Sequence, residues 1–452
     1  MRWPWRGSDS DRDGWSDVGV AGAGGLVGGL VGGLIVVAVT LVLKAGIDFA
    51  ARQDAWYVVL VPLLGLAVAA LVLHGIGRRA TPASADDRAR SGPPQPAWRT
   101  FHPDAAHADI SSDVVDTAGQ EERFPWRLAP LRTLAIIATV ASGGAMGTEA
   151  PAAYLGVAAG AWLGDRGRWW RRLLRPAALG GGAAGVAALM GIPLVGTAFM
   201  LELGRRRGAP VSPTRVTAAL AGGFVGWAIN ATFSLDLIRL VVPKEPPGSF
   251  AQAAITALFI GVASGVISSL AGLAVYRAKK WRAPPLVRLA LGGAAAVVTA
   301  LLLVRIASPL AAVGPGGGAI LWSETVTALP LTLLAVCLLR AVATTAAVAA
   351  GGCGGVFVPF LAVGDLAGRV FAPSLGIGND LAGAAGAAGG IAGGYRLPLT
   401  AVAMEIGVGG PYRATATCLV TIVVAYYAGV GIELALDKLR AVAVPARRAP
   451  VH

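Results

Sequence analysis

The 452-residue sequence has few charged residues, and this shortage excludes most soluble folds. Only 14% of its residues are Asp, Glu, Lys or Arg, whereas 55% are hydrophobic. Soluble domains carry about 25% charged residues, so this chain lacks the polar surface needed to cover a water-soluble globule. The 63 glycines follow no three-residue period, which excludes a collagen-like chain. The composition therefore predicts a polytopic membrane protein.

The chain also lacks the residue clusters of a metal site or an enzyme. Its three cysteines, Cys337, Cys353 and Cys418, lie in apolar sequence without metal-ligand spacing and are interpreted as small packing residues. The four histidines do not cluster, and no nucleophile–base pattern is found in the apolar runs. The glycine-rich segment 314–318 lacks the Lys-Ser/Thr that completes a phosphate-binding loop. We therefore expect no enzyme activity, no metal and no cofactor.

Basic residues outnumber acidic ones and give the chain a net charge of +13. They concentrate in short segments between apolar runs, at 166–175, 205–215, 277–288 and 438–448. The positive-inside rule assigns such loops to the cytoplasm, so the excess indicates membrane topology rather than a nucleic-acid partner. We expect an integral protein of the plasma (inner) membrane with both termini in the cytoplasm.

The distribution of apolar runs predicts the organisation of the chain. We expect a polar N-terminal tail (1–19), a first membrane repeat (20–243) containing a polar loop (77–128), a second membrane repeat (244–440) and a basic C-terminal tail (441–452). Several runs have the length of about 20 residues that a membrane-spanning helix needs. Others are longer and punctuated by Gly and Pro, as expected for helices that break inside the membrane. We estimate about ten to twelve full crossings and several half-helices.

An internal repeat relates residues 144–160 to residues 352–368 at a constant offset of 208. Five positions coincide without a gap: Gly144 with Gly352, Gly147 with Gly355, Pro151 with Pro359, Gly156 with Gly364 and Gly160 with Gly368. A second pair follows, IPLVGTAFMLE at 192–202 and LPLTAVAME at 397–405. The repeat predicts two structurally related halves.

The repeated G-x-x-x-P pattern favours a helix start, because glycine is flexible and proline suits the first helical turn. The first N–H groups of a helix have no intrahelical partners and lie at the positive end of the helix dipole. A helix that starts inside a membrane therefore forms an anion site that binds weakly enough to release its ion. Two such starts facing one another would place this site near the membrane midplane.

The two repeated segments resemble signatures of the CLC chloride channel and transporter family. GTEAP at 147–151 resembles the family's G-[KR]-E-G-P signature, and GVFVP at 355–359 matches its G-x-F-x-P signature. The resemblance extends over most of the chain, from about residue 20 to about residue 440. It implies an all-α polytopic membrane protein with two inverted-topology repeats, whose broken helices meet at the membrane midplane. It also implies a homodimer with one anion pathway in each subunit.

The resemblance further implies roles for individual residues. By this resemblance Glu149 is expected to be the gating glutamate, whose carboxylate would mimic a bound anion until protonation releases it. It is the one charged residue in 133–164, and a charge in such a segment is costly and therefore functional by default. The implied anion-binding residues lie in the two signatures: Gly147, Ala150, Gly355, Val356 and Phe357.

Three positions depart from the family pattern. The inner glutamate that carries protons in family transporters falls on Leu203, directly after Glu202. The G-S-G-I-P motif expected at 107–111 is replaced by HADIS. The pore tyrosine expected near 434–435 is absent, and the tyrosines at 426–427 come about eight residues too early.

These departures leave three alternatives for function. The apolar Leu203 favours passive conduction of a small anion, chloride foremost, with Glu149 as the gate. A one-residue shift of the alignment would instead make Glu202 a proton relay and the protein an anion/proton antiporter. The missing serine and tyrosine also leave open a degenerate relative that conducts nothing.

Overall fold

A computed structural model describes the chain over residues 18–77, 110–111, 114–115, 124, 126–164, 173–206, 208–235 and 238–443. Over these ranges the chain is almost entirely helical and contains no β-strand beyond one isolated bridge. Most of the predicted N-terminal tail, of the loop 77–128 and of the C-terminal tail lies outside the described residues.

The helices of the N-terminal part begin with two long apolar elements and end with a group around Glu149. They are α1 (Val18–Ala51), α2 (Ala55–Gly77), α3 (Ala129–Val140), α4 (Glu149–Gly164), α5 (Leu174–Met190), α6 (Pro193–Arg206) and α7 (Pro213–Phe233).

The C-terminal part follows an irregular segment, 238–249, that contains the predicted boundary between the repeats. Its helices are α8 (Phe250–Lys280), α9 (Pro285–Ile306), α10 (Pro309–Ala312), α11 (Gly317–Thr325), α12 (Pro330–Ala349), α13 (Phe357–Arg369), α14 (Ala372–Leu375), α15 (Asn379–Gly390), α16 (Pro398–Val408) and α17 (Tyr412–Ala443). A π-helical turn, Ile391–Tyr395, connects α15 to the segment that precedes α16.

Fewer helices than expected are long enough to cross a membrane. Among the described residues, seven are sufficiently long and apolar, namely α1, α2, α7, α8, α9, α12 and α17. The estimate of ten to twelve full crossings was therefore too high, because Gly and Pro divide the remaining apolar sequence into shorter helices. At 1.5 Å per residue, α4 with 16 residues and α13 with 13 span only about 24 and 20 Å. Both are shorter than the hydrocarbon core of about 30 Å, as expected for half-helices.

The two halves repeat the same helix packing. In the first half α5 packs against α1, α4 and α7, and in the second α15 packs against α8, α13 and α17. The matched glycines make the same contacts in both halves. A Cβ on Gly156 of α4 would collide with the backbone of Gly181 in α5, and one on Gly364 of α13 would collide with that of Gly386 in α15. Small residues thus let each half-helix lie directly against its neighbour, as in other membrane bundles.

The far end of α13 is held by buried charges. Asp365 and Arg369 are one turn apart, both side chains are fully buried, and Asp365 Oδ1 accepts a hydrogen bond from Arg369 Nε at 2.6 Å. Arg369 also contacts Glu324 of α11 at 3.4 Å. Asp365 and Arg369 both belong to α13, where each neutralises the other, because buried charges are tolerated only when they are paired. The contact between Arg369 and Glu324 joins α13 to α11.

Candidate functional site

The two segments identified by the repeat lie against each other. Gly147 and Gly355 form an antiparallel bridge, with Gly147 N donating to Gly355 O at 2.7 Å and Gly355 N donating to Gly147 O at 2.8 Å. A further bond crosses the same junction, from Cys353 N to Thr139 Oγ1 at 3.1 Å. The segments that precede α4 and α13 are therefore joined by paired backbone groups, and a side-chain hydroxyl adds a further bond beside them.

Glu149 crosses this junction from α4 to the start of α13. Its side chain is fully buried, and its Oε1 accepts a hydrogen bond from the backbone N–H of Phe357 at 2.6 Å. Its Oε2 accepts no hydrogen bond from the described residues. The carboxylate thus occupies the N-terminal end of α13, where a helix offers unpaired N–H groups and positive partial charge to a negative group.

Glycine leaves room for the Glu149 carboxylate on both of its sides. A Cβ on Gly147 or on Gly355 would collide with the carboxylate of Glu149, and one on Gly355 would also lie 3.0 Å from Ala150 N. The repeated glycines therefore provide the space in which a small negative group can approach the two helix starts. The other two predicted residues adjoin this space, since Ala150 is the second residue of α4 and Val356 is the N-cap of α13.

Phe357 contacts Glu149 through its backbone N–H, whereas its ring belongs to a separate aromatic cluster. Phe357 is fully buried and meets Phe199 of α6 edge to face, with ring centroids 6.1 Å apart. It also meets Tyr395 edge to face, with centroids 6.0 Å apart. Phe199 and Tyr395 were not singled out from the sequence: Phe199 lies in the repeated segment 192–202 but outside the two signatures, and Tyr395 precedes the segment 397–405.

Glu202 lies away from Glu149 and caps a helix of the other half. Its Oε1 accepts from Leu399 N at 2.8 Å, and its Oε2 accepts from Thr400 N at 2.8 Å and from Thr400 Oγ1 at 2.6 Å. These groups form the first turn of α16, so the C-terminal end of one Pro-Leu helix satisfies the N-terminal end of the other. Leu203, the neighbouring position, is buried in the apolar core.

The structure describes only one of the two positions at which the family's serine and pore tyrosine are expected. Position 108, where the family serine is expected, lies outside the described residues. Positions 434–435 lie within α17, which continues without interruption, and Leu434 is 57% exposed. No group of three or more His, Cys, Asp or Glu that could hold a metal is found in the described part of the chain.

Comparison with known proteins yields consistent similarities in sequence and in fold. Residues 96–429 match the family model described as voltage gated chloride channel. The chain is 24% identical over 341 residues to the voltage-gated ClC-type chloride channel ClcB of Escherichia coli O17:K52:H18 (strain UMN026 / ExPEC), with 73% of this chain and 72% of that protein covered.

Two solved structures have similar folds. One is a slow cyanobacterial Cl⁻/H⁺ antiporter, with a TM-score of 0.68 and 19% identity, covering 93% of this chain and 98% of that one. The other is a CLC-type fluoride/proton antiporter, with a TM-score of 0.69 and 20% identity, covering 91% and 95%. Both likenesses concern the fold.

Proposed function

We propose a function for this chain, which belongs to the voltage gated chloride channel family. The protein conducts a small anion passively across the membrane. Chloride is the expected ion, and Glu149 is the gate. In this proposal the anion binds at the starts of α4 and α13, beside Gly147, Ala150, Gly355, Val356 and Phe357. We also propose a homodimer in the plasma membrane, with both termini in the cytoplasm.

The observation that supports the gate is the hydrogen bond from Phe357 N to Glu149 Oε1. A carboxylate oxygen and a halide ion compete for the same donors, so the N–H of Phe357 cannot bind an anion while it donates to Glu149. Protonation removes the negative charge from Glu149 and weakens this contact. Lowering the pH therefore favours release of the side chain and opening of the pathway.

The contacts of Glu202 favour passive conduction over proton coupling. Both of its carboxylate oxygens accept hydrogen bonds from the first turn of α16. A carboxylate held in this way stabilises a helix end, and its negative charge is favoured by the helix dipole. The apolar Leu203 beside it has no group that binds a proton.

Proton-coupled exchange is the second candidate, because the two structural neighbours are described as chloride/proton and fluoride/proton antiporters. Purified protein in lipid vesicles distinguishes the two functions. We expect an imposed chloride gradient to drive chloride flux without moving protons against their own gradient. Uphill proton movement would establish antiport, and the absence of any anion flux would indicate a non-conducting relative.

The gate is tested by comparing chloride efflux from vesicles containing the natural protein or Glu149→Gln. A hydrogen bond to a charged group contributes about 1.5–3 kcal/mol, so its loss is expected to raise efflux at neutral pH by roughly tenfold or more. The variant should also lose the increase that acidification causes in the natural protein. Glu405→Gln is a matched control, because Glu405 is equally buried but its carboxyl lies beside Cys418 of α17. Unchanged efflux and pH response in Glu149→Gln would remove Glu149 from the gate.

A further inference from the structure

We propose that Tyr395, held in place by one face of α6, forms a second constriction of the anion pathway at the ring of Phe357. The inference rests on the proposed function and assigns it a residue outside both sequence motifs. Phe357 is contacted at its backbone N–H by Glu149 and at its ring by Tyr395. Glu149 contacts the backbone of Phe357 and Tyr395 contacts its ring, so an ion that passes Phe357 meets Glu149 and Tyr395 separately.

The position of Tyr395 is set by an unusual piece of backbone. It is the last residue of the π-helical turn Ile391–Tyr395, and Arg396 follows with φ 58°, a conformation that is uncommon outside glycine. Such π-helical turns occur frequently at functional sites. The turn separates α15 from α16 and directs the Tyr395 ring into the aromatic cluster, with its centroid 6.0 Å from that of Phe357.

Three residues on one face of α6 hold this segment. Phe199, Glu202 and Arg206 are spaced by three and four residues, which places them on the same side of a helix. The Phe199 ring stacks nearly parallel to that of Tyr395, with centroids 6.4 Å apart and an interplanar angle of 16°. Arg206 lies over the Tyr395 ring, 5.5 Å from its centroid, and donates to the Tyr395 carbonyl. Glu202 caps α16, only a few residues further along the chain.

The chemistry of Tyr395 suits a passage for anions. Its side chain is partly accessible, whereas Phe199 and Phe357 are completely buried beside it. Aromatic ring edges carry positive partial charge, and the phenol adds a hydroxyl that can donate a hydrogen bond. These groups attract an anion without a full positive charge, as an ion pathway requires. The family's usual tyrosine position near 434–435 lies instead within the continuous helix α17, away from this cluster in sequence.

The first experiment measures flux in a protein whose Glu149 gate is already removed. Tyr395→Ala is combined with Glu149→Gln, and chloride and thiocyanate efflux from vesicles are compared with those of Glu149→Gln alone. We expect the added substitution to raise chloride efflux several-fold. It should also reduce the preference between the strongly hydrated chloride and the weakly hydrated thiocyanate, because a wider passage lets more water accompany the ion.

Two further variants distinguish the effect of the Tyr395 ring from that of its hydroxyl and from the effect of removing any tyrosine ring. Tyr395→Phe keeps the ring and should leave the constriction in place, so a change in ion preference without a large rise in efflux would assign binding to the hydroxyl. Tyr427→Ala is the matched control, because Tyr427 of α17 is 61% exposed and contacts Tyr426 rather than Phe357. Identical efflux and ion preference in Glu149→Gln with and without Tyr395→Ala would overturn the proposal.

A second experiment measures whether position 395 is accessible to a thiol reagent, and it does not depend on ion flux. The three natural cysteines are buried, so Tyr395→Cys places one reactive thiol in the cluster. We expect a charged thiol reagent to label it from the side opposite Glu149 and chloride to slow the labelling. Failure to label the properly folded variant would refute an accessible Tyr395, even if Glu149→Gln conducts as proposed. Absence of anion flux in all variants would instead refute the proposed function.

Discussion

Replacing Glu202 with glutamine tests whether this carboxylate caps a helix or carries protons. In the structure it accepts two backbone N–H bonds at 2.8 Å and one hydroxyl bond at 2.6 Å from the first turn of α16. Glutamine keeps one carbonyl oxygen but loses the charge and the second acceptor. Helix caps contribute about 1 kcal/mol and bonds to charged groups about 1.5–3 kcal/mol, so we expect a loss of about 2 kcal/mol.

This loss is measurable as a lower unfolding temperature. With an unfolding entropy of about 2.1 cal/mol/K per residue over 452 residues, 2 kcal/mol corresponds to a decrease of about 2 °C. The assay is thermal unfolding of the purified protein in detergent at a fixed scan rate. Thr400→Val removes only the hydroxyl bond and should cost less, and its effect should not add to that of Glu202→Gln because the two residues share one contact.

A surface carboxylate provides the control for the charge itself. Glu245→Gln neutralises an exposed side chain and should leave the unfolding temperature unchanged. Chloride flux in Glu202→Gln should remain, without proton movement, as in the natural protein. If Glu202→Gln unfolds at the natural temperature and loses a chloride-driven proton movement that the natural protein possesses, Glu202 carries protons and does not stabilise α16.

Two glycine substitutions give further predictions. Gly355→Ala should displace the Glu149 carboxylate and weaken the dependence of chloride efflux on pH, because the added Cβ would collide with Glu149 Oε1; efflux with an unaltered pH dependence would contradict this. Gly364→Ala should lower stability by about 1–3 kcal/mol through overpacking, whereas Gly431→Ala, whose Cβ would have no neighbour within 4 Å, should not. Equal unfolding temperatures for these last two variants would refute the close packing of α13.

The general architecture could be predicted from sequence because its causes are local. The scarcity of charge and the apolar runs indicate a membrane protein, and the family match and the structural similarities confirm the helical fold and the family. The glycines and prolines at a constant offset also marked the two helix starts. The structure joins these starts through Gly147 and Gly355, because the same backbone pattern occurs in both halves.

The details that could not be predicted depend on contacts between distant residues. Phe199, Phe357 and Tyr395 are far apart in the sequence, and no spacing rule connects them. One sequence feature does mark Tyr395, namely its fixed distance from the repeated Pro-Leu pair. It lies three residues before the second pair, at the position that Met190 occupies before the first. The contacts by which Glu202 caps α16 could not be predicted either, because its partner Thr400 lies in the other half.

In the proposed mechanism the Glu149 carboxylate and a permeating anion compete for the backbone N–H of Phe357. Crystals of Glu149→Gln grown in bromide test this most directly, because bromide is located by its anomalous scattering. We predict a bromide ion at the start of α13, in hydrogen-bond contact with Phe357 N where Glu149 Oε1 lies in the natural protein. A conducting Glu149→Gln variant in which bromide binds elsewhere, with this site empty, would contradict the account.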